Sequence, residues 1–282
     1  MTDVIAYQKQ YRQEFIKQFE QRESLLRSTT TTEAVIKGNQ ARFLTAGSGG
    51  DTAVTRGANG LIPARGDSEA VPEATLVEWH DLRRKTRFNI FASQGNQRRV
   101  MQMNSLAVVK RKMDTDIRDS LSGATTTTGA AVTGDIGLVM KAKTKLGNND
   151  VPWDNQIFGV ITPAMEAYLM QTKEFAGREY IERKPMPGAD LAWDDAPQMY
   201  RWLGVNWMVH PNLNGAGTAS EECYMFHKSA IGHAFDTGGM QSLVGYDQEQ
   251  DYSWGRCTCF MGSVILQNNG IVKIMHDGSA YA

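Results

Sequence analysis

Apolar residues recur three and four apart along Ser93–Leu121, at Val100, Met103, Ala107, Met113, Ile117 and Leu121. Leu106, Val108 and Val109 widen that side, while Arg98, Arg99, Gln102, Lys110, Arg111, Lys112, Thr115, Arg118 and Asp119 fill much of the rest. Apart from Gly95 no Gly or Pro interrupts the run, and Gly123 follows it, so the pattern predicts one helix over about 93–121. At about 1.5 Å per residue that helix is roughly 40 Å long, against the three to four turns usual in globular proteins.

The chain before it reads differently. Tyr7, Tyr11, Phe15 and Phe19 stand four apart among Gln, Lys, Arg and Glu, which predicts an amphipathic helix over 4–27. Four threonines, Thr29 to Thr32, and a polar irregular stretch to Gly50 follow, so this helix reads as an arm whose aromatic stripe packs on the body or on a neighbouring subunit. Residues 46–73 are rich in Gly, Ala, Asp and Pro and too long for an ordinary connection. Asn59-Gly60 is a two-residue turn signal between strand-like pieces. The segment therefore reads as an extended hairpin, with strands at Leu76–Trp79 and Arg83–Phe91 leading into the long helix.

Beyond the long helix, Asp135 caps a short helix over Ile136–Leu146, with Ile136, Val139, Met140 and Leu146 inward and Lys141 and Lys145 outward. Val151-Pro152 opens a loop before a buried strand, Ile157–Ile161, and Thr162-Pro163 starts another helix, supported by Tyr168, Leu169 and Met170. Residues 176–200 are loop-rich. Strands follow at Val205–Val209 and Tyr224–His227, then a short Ser229–Phe235 segment, a polar stretch over 236–251, and closing strands Arg256–Leu266 and Ile271–His276. The class is α+β.

Composition narrows the function classes. With 30 basic and 31 acidic residues the net charge is -1, without the basic excess of a protein that coats nucleic acid. The charge is uneven, since Arg83–Arg118 holds ten Lys/Arg against Asp114 and Asp116. With no aromatic stacking pattern beside it, that stretch is expected to pair with acidic neighbours, although a nucleic-acid-binding module built on 83–118 is the alternative. No apolar run approaches the ~18 residues of a membrane span, and the N-terminus lacks a signal-peptide pattern. Synthesis in a cytoplasm and no membrane partner are the expectation. Cys223, Cys257 and Cys259 fit reduced core thiols.

Catalytic motifs are missing from the sequence. There is no Gly-x-Ser-x-Gly, His-Glu-x-x-His, Walker or Rossmann pattern, and Gly47-Ser48-Gly49-Gly50 lacks the Gly-Lys-Ser/Thr ending of a phosphate loop. His80, His210, His227, His233 and His276 are scattered and read as surface or satisfied core histidines, and Asp194-Asp195 as a solvated turn. No catalytic residue, cofactor or metal is expected. A detachable arm, a projecting hairpin and a long helix need surface from neighbouring copies to bury their apolar residues.

Read in order, residues 45–282 resemble a known family. A hairpin-like loop precedes Asp81-Leu82, and the long helix ends in Lys112-x-Asp114-x-Asp116-Ile117-x-x-Ser120-Leu121. The Val151-Pro152 turn, Ile157-Phe158-Gly159-Val160-Ile161-Thr162-Pro163 and Tyr168-Leu169 come next. Leu203-Gly204-Val205-Asn206-Trp207-Met208-Val209-His210-Pro211-Asn212-Leu213, Ala230-Ile231-Gly232-His233-Ala234 and Gly270-Ile271-Val272 complete the series. This order is similar to that of major capsid (coat) proteins of tailed bacteriophages with the Hong Kong 97-type fold.

The resemblance implies an N-terminal arm (1–45), an E-loop (46–82), a peripheral domain (83–124 and 236–282, its spine helix about 93–121) and an axial domain (125–235). It implies a structural, non-enzymatic virion protein, made in the host bacterial cytoplasm. Its copies would assemble through hexamers and pentamers into an icosahedral shell around double-stranded DNA, touched only weakly and non-specifically. A scaffolding protein, a portal and a decoration protein are the further partners implied. A nanocompartment of the same fold that encloses protein cargo is the alternative. Contacts between subunits are expected at Tyr7, Tyr11, Phe15 and Phe19 in the arm, and at Gly57, Asn59, Gly60, Leu61 and Ile62 at the hairpin tip.

Overall fold

The long helix forms over Gln97–Ser122 in the computed structural model, which describes residues 19–32, 34–92, 96–176, 182–185, 198–236 and 238–281. Asn96 starts it, its side-chain oxygen accepting the Arg99 N–H at 3.1 Å as an N-cap. At the far end the N–H groups of Gly123 and Ala124 turn back to the carbonyls of Ser120 and Leu121. The buried row is Met101, Ala107, Val109, Met113, Ile117 and Leu121, joined by the polar Ser105 and Asp114. Val100 and Met103, expected inward, are only half-buried.

In chain order the elements are β1 (Val35–Lys37), β2 (Gln40–Arg42), β3 (Thr45–Gly47), β4 (Ser68–Ala70), β5 (Glu73–Thr75), β6 (Val77–Thr86), α1 (Arg87–Ala92) and α2 (Gln97–Ser122). Then come α3 (Ile136–Asn148), β7 (Ile157–Ile161), α4 (Pro163–Leu169), α5 (Lys173–Ala176), β8 (Glu182–Pro185), β9 (Gln198–Trp202) and β10 (Val205–Val209). The chain closes with β11 (Glu221–His227), β12 (Ile231–Phe235), β13 (Gln241–Asp247), β14 (Tyr252–Ile265) and β15 (Ile271–His276). Two compact units result. Among the described residues, the first takes the chain up to Ser24, with Glu78–Met113 and Asp236–Phe260; the second takes Leu25–Val77, Asp114–Phe235 and the chain from Met261 on.

The second unit is built on a six-stranded sheet ordered β15-β11-β7-β10-β9-β8, in which β7 and β10 run parallel and the other pairs antiparallel. All five residues of β7 are buried, as an unbroken apolar run implies for a strand covered on both faces. Gly159 is obligatory within it, because a Cβ there would come within 2.4 Å of the Trp207 ring. Trp207 is itself buried, and its indole N–H donates to the Trp202 carbonyl at 3.1 Å. The two helix starts form as their sequence signals require. Asp135 accepts the Leu138 N–H at 2.7 Å, and Thr162 accepts that of Met165 at 3.2 Å with Pro163 in the first turn. On α3 the buried residues are Leu138, Val139, Ala142 and Leu146, whereas Met140, expected inward, is exposed. A three-stranded sheet, β1-β2-β5, closes over Ala41, Phe43, Ala74 and Ala234, with Phe43 lying on Gly232.

In the first unit β13 and β14 form an antiparallel hairpin, from Gln241↔Thr258 to Asp247↔Tyr252, and β6 pairs with β14. The reading of 236–251 as an irregular polar stretch is corrected by β13, whose residues are nowhere fully buried, so its polar sequence carries no alternating signal. The two strands expected at 76–79 and 83–91 are one strand followed by a helical turn. Trp79, Asp81, Arg83 and Lys85 alternate half-buried through the Asp81-Leu82 pair without a break. Thr86 then accepts the Asn89 N–H at 3.3 Å and starts α1. Asp194 and Asp195 lie outside the described residues.

Candidate assembly surfaces

The described part of the N-terminal segment is not helical before Leu26, which corrects the helix expected to reach residue 27. Its backbone donors are taken by another partner. The N–H groups of Leu25 and Leu26 donate to the two carboxylate oxygens of Asp114, at 2.9 and 3.1 Å, so they cannot serve an i→i−4 ladder. Asp114 is buried, and it also accepts His210 Nε2 at 3.1 Å. Asn212 N–H points at His210 Nδ1 (3.1 Å), which makes Nδ1 the acceptor and Nε2 the protonated nitrogen. The chain then lies against β12, with Thr31 N–H on the Ile231 carbonyl and His233 N–H on that of Thr31. Of the aromatic stripe, Phe19 is fully exposed, and Tyr7, Tyr11 and Phe15 lie outside the described residues.

The second surface is the segment between β3 and β4. Every residue from 46 to 71 is exposed. Its base is a pair of three-residue strands, Thr45↔Ala70 to Gly47↔Ser68, too little to be stable alone in water. At the tip Gly57 N–H donates to the Leu61 carbonyl (3.0 Å) and Gly60 N–H to that of Gly57 (2.9 Å), and Arg56 closes the turn on the Gly60 carbonyl (2.9 Å). Gly60 has φ +72°, the left-handed conformation that the Asn59-Gly60 pair anticipates. Leu61 and Ile62 are 72% and 67% exposed beside it. The five predicted tip residues are thus gathered in one turn with two bare aliphatic side chains.

The basic stretch is largely spoken for. In the first unit Arg111 pairs with Glu20 (2.9 Å), Lys110 with Glu23 and Arg83 with Asp81 (3.0 Å), and Lys112 sits 4.0 Å over the Trp79 ring. In the second, Arg118 binds Asp119 (2.7 Å) and the Asn212 carbonyl (3.0 Å).

Three histidines are tied to carboxylates from distant parts of the chain, which their scatter in the sequence did not reveal. Besides His210 with Asp114, His227 Nε2 meets Asp154 at 3.0 Å and His276 Nδ1 donates to Glu221 at 2.7 Å. Glu221 also accepts the Thr162 hydroxyl (2.5 Å) and the Gly217 N–H (2.6 Å). A hydroxyl, a carboxylate and an imidazole in one cluster resemble a hydrolytic triad in composition. Here all three side chains are fully buried and the Thr162 oxygen is committed to capping α4. Burial also pushes the adjacent Cys223 thiol up to about 12, far from a nucleophilic thiolate. The cluster holds the sheet together and offers nothing to a substrate. Cys223, Cys257 and Cys259 are all buried thiols outside any disulfide, as expected of core thiols.

His233 makes a pH-dependent contribution. Its Nδ1 bonds the Ser263 hydroxyl oxygen (2.9 Å), which in turn donates to Asp116 (2.5 Å). Burial, reinforced by the Arg27 charge and opposed by Asp114, lowers its pKa from 6.5 to about 4. The folded chain therefore refuses a proton that the unfolded chain accepts below pH 6.5. Stability falls as pH drops from 6.5 towards 4, by roughly 3 kcal/mol in all if a pKa unit is worth about 1.4 kcal/mol. Urea unfolding of His233→Gln should lose that part of the slope over the same range; an unchanged slope would assign it to other groups.

Among the described residues, 46–71 are exposed throughout, and the clusters around Asp114 and Glu221 are buried. The family model for phage capsid protein matches residues 5–278, and the chain belongs to that family. It is a capsid shell protein, not an enzyme. Among solved structures it is similar to a chain of Mycobacterium phage Che8, with TM-score 0.71 and 15% identity over 96% of this chain and 97% of that one. The capsid of cyanophage P-SCSP1u gives TM-score 0.70 at 12% identity, covering 96% and 93%. The capsid of a native GTA particle gives 0.68 at 11%, covering 97% and 96%. At such identities the likeness establishes the fold, the α+β Hong Kong 97-type capsid fold that the order of motifs implies. No curated protein sequence matches the chain significantly.

Proposed function

We propose that this chain self-assembles through hexamers and pentamers into an icosahedral virion shell that encloses double-stranded phage DNA. The observation that carries the reading is the run from 46 to 71, in which no side chain is buried by its own chain. Such a segment has a defined place only when a neighbour covers it. On this reading residues 1–45 are the N-terminal arm, 46–82 the E-loop, 83–124 and 236–282 the peripheral domain, and 125–235 the axial domain. Tyr7, Tyr11, Phe15 and Phe19 in the arm, and Gly57, Asn59, Gly60, Leu61 and Ile62 at the tip, contact adjacent subunits. The shell is built in the host cytoplasm with a scaffolding protein and a portal, accepts a decoration protein, and meets its DNA by weak non-specific contact. The near-neutral charge and the internal pairing of Lys110, Arg111 and Arg118 support that weak contact.

The test is electron microscopy of particles made by the full chain expressed with its neighbouring genes. Wild type should give closed shells containing DNA. Leu61→Asp with Ile62→Asp removes two aliphatic anchors, each worth about 1.5–3 kcal/mol when buried, and should lower shell yield more than tenfold without changing the circular dichroism of the subunit. Normal shells from that variant would remove the tip from the contact. Uniform monomers from wild type would refute shell building, and shells filled with protein instead of DNA would make it a cargo compartment.

A further inference from the structure

The sheet face of the first unit that is turned away from α2 carries a cavity with unspent charge. Gly255 of β14 faces Met101 of α2, so the even-numbered residues of that strand point the opposite way. Tyr252, Trp254 and Arg256, with Leu82 and Arg84 of β6, line an open cavity of about 170 Å³ there. The Arg84 guanidinium lies 5.0 Å over the Tyr252 ring, and the Trp254 ring lies on Gly245, where a Cβ would come within 2.5 Å of it. Leu82 and Leu243, on the same face, are each 46% exposed. Among the described residues neither Arg84 nor Arg256 forms an ion pair, whereas Arg83, the inward neighbour of Arg84, does. Asp247 feels the charge of Arg84 but is bound to the N–H groups of Glu249 and Gln250. Two guanidiniums in one cavity, that of Arg84 over an aromatic ring, suit carboxylates delivered on an extended strand.

The chain carries such a strand. In the exposed segment Asp51 is paired with Arg65 (3.4 Å), while Asp67 and Glu69 are exposed carboxylates that form no ion pair among the described residues. They stand two residues apart on and beside β4, hence on one side and about 7 Å from each other. β4 pairs with β3 alone, which leaves its other edge open. We propose that the Leu82/Arg84/Tyr252/Trp254/Arg256 cavity is the receptor for Asp67 and Glu69 of a second copy of this chain. The complementarity is the argument: among the described residues, one molecule holds two carboxylates and two guanidiniums that form no ion pair within it. The inference rests on the shell-building reading above and names the pairing that reading leaves open.

Charge reversal tests it in the full chain expressed with its neighbouring genes. Arg84→Glu with Arg256→Glu, and separately Asp67→Arg with Glu69→Arg, should each lower shell yield at least tenfold, and combining all four substitutions should restore it. As a second measurement, Glu69→Cys with Arg256→Cys should give a disulfide-linked ladder of subunits, with neither single variant doing so. Shells from the double arginine variant at wild-type yield would overturn the proposal, as would absence of both rescue and ladder. Intact shells that have lost their DNA would show that the cavity takes phosphate instead, and would also overturn it. Wild type that builds no particle would refute the shell-building reading itself, a result separate from any of these.

Discussion

Replacing Asp114 with alanine is expected to lower the stability of the folded chain by about 3–5 kcal/mol, the cost of leaving several donors without their acceptor inside the fold. Asp114 is 1% exposed, and its carboxylate accepts from the N–H groups of Leu25 and Leu26 and from His210 Nε2. Alanine strands all three where water is scarce, and each unsatisfied donor costs about 1–3 kcal/mol before the structure relaxes. For a chain of this size the melting temperature should fall on the order of 10 °C. Asp114→Asn keeps an acceptor oxygen but turns an NH₂ group towards one of the donors, so its loss should be intermediate. The same variants should expose the chain before Leu26, seen as faster tryptic cleavage at Arg22 and Arg27. Urea unfolding that registers a loss below 1 kcal/mol for the alanine variant would sink this account of the arm's attachment.

That contact also explains what the sequence conceals. The four-residue spacing of the N-terminal aromatics favours a helix, and no local feature says where it must stop. Residues 19–26 are nonetheless not helical, and the Leu25 and Leu26 N–H groups are held by a carboxylate 89 and 88 residues further on. The same physics separates the elements that were legible from those that were not. The strands Ile157–Ile161, Val205–Val209 and Ile271–His276, and the helices begun by Asp135 and Thr162-Pro163, carry their signals in adjacent residues, and each forms where expected. The three-residue strands between 35 and 75, and β13, have too few buried positions to show a period.

The surfaces were legible to a similar degree. Asn59-Gly60 with Leu61-Ile62 predicts an exposed apolar turn, and the turn is there. The basic stretch predicts pairing with carboxylates, and Arg83, Lys110, Arg111 and Arg118 are so paired. The cavity at Arg84 and Arg256 has no counterpart in the linear pattern. Its residues come from two strands about 170 positions apart and share a face only once β6 lies beside β14.

Glu221→Ala should produce the other large loss, also about 3–5 kcal/mol. Glu221 and His276 stand directly opposite in the β11–β15 ladder, so the sheet's register places the carboxylate against the imidazole. Removing it leaves His276 Nδ1–H and the Thr162 hydroxyl buried without their acceptor, and frees the Gly217 N–H of the exposed turn. Thr162 carries the cost into α4, because the hydroxyl that donates to Glu221 is the one whose oxygen caps that helix. His276 carries it to the C-terminal end of the chain, since its ring packs edge-on against Tyr168, which packs in turn against Tyr281. A double-mutant cycle of Glu221→Ala and His276→Ala should therefore return a coupling of about 1–3 kcal/mol. Additive losses would mean that strand pairing alone sets the β11–β15 register and that the buried pair merely occupies it.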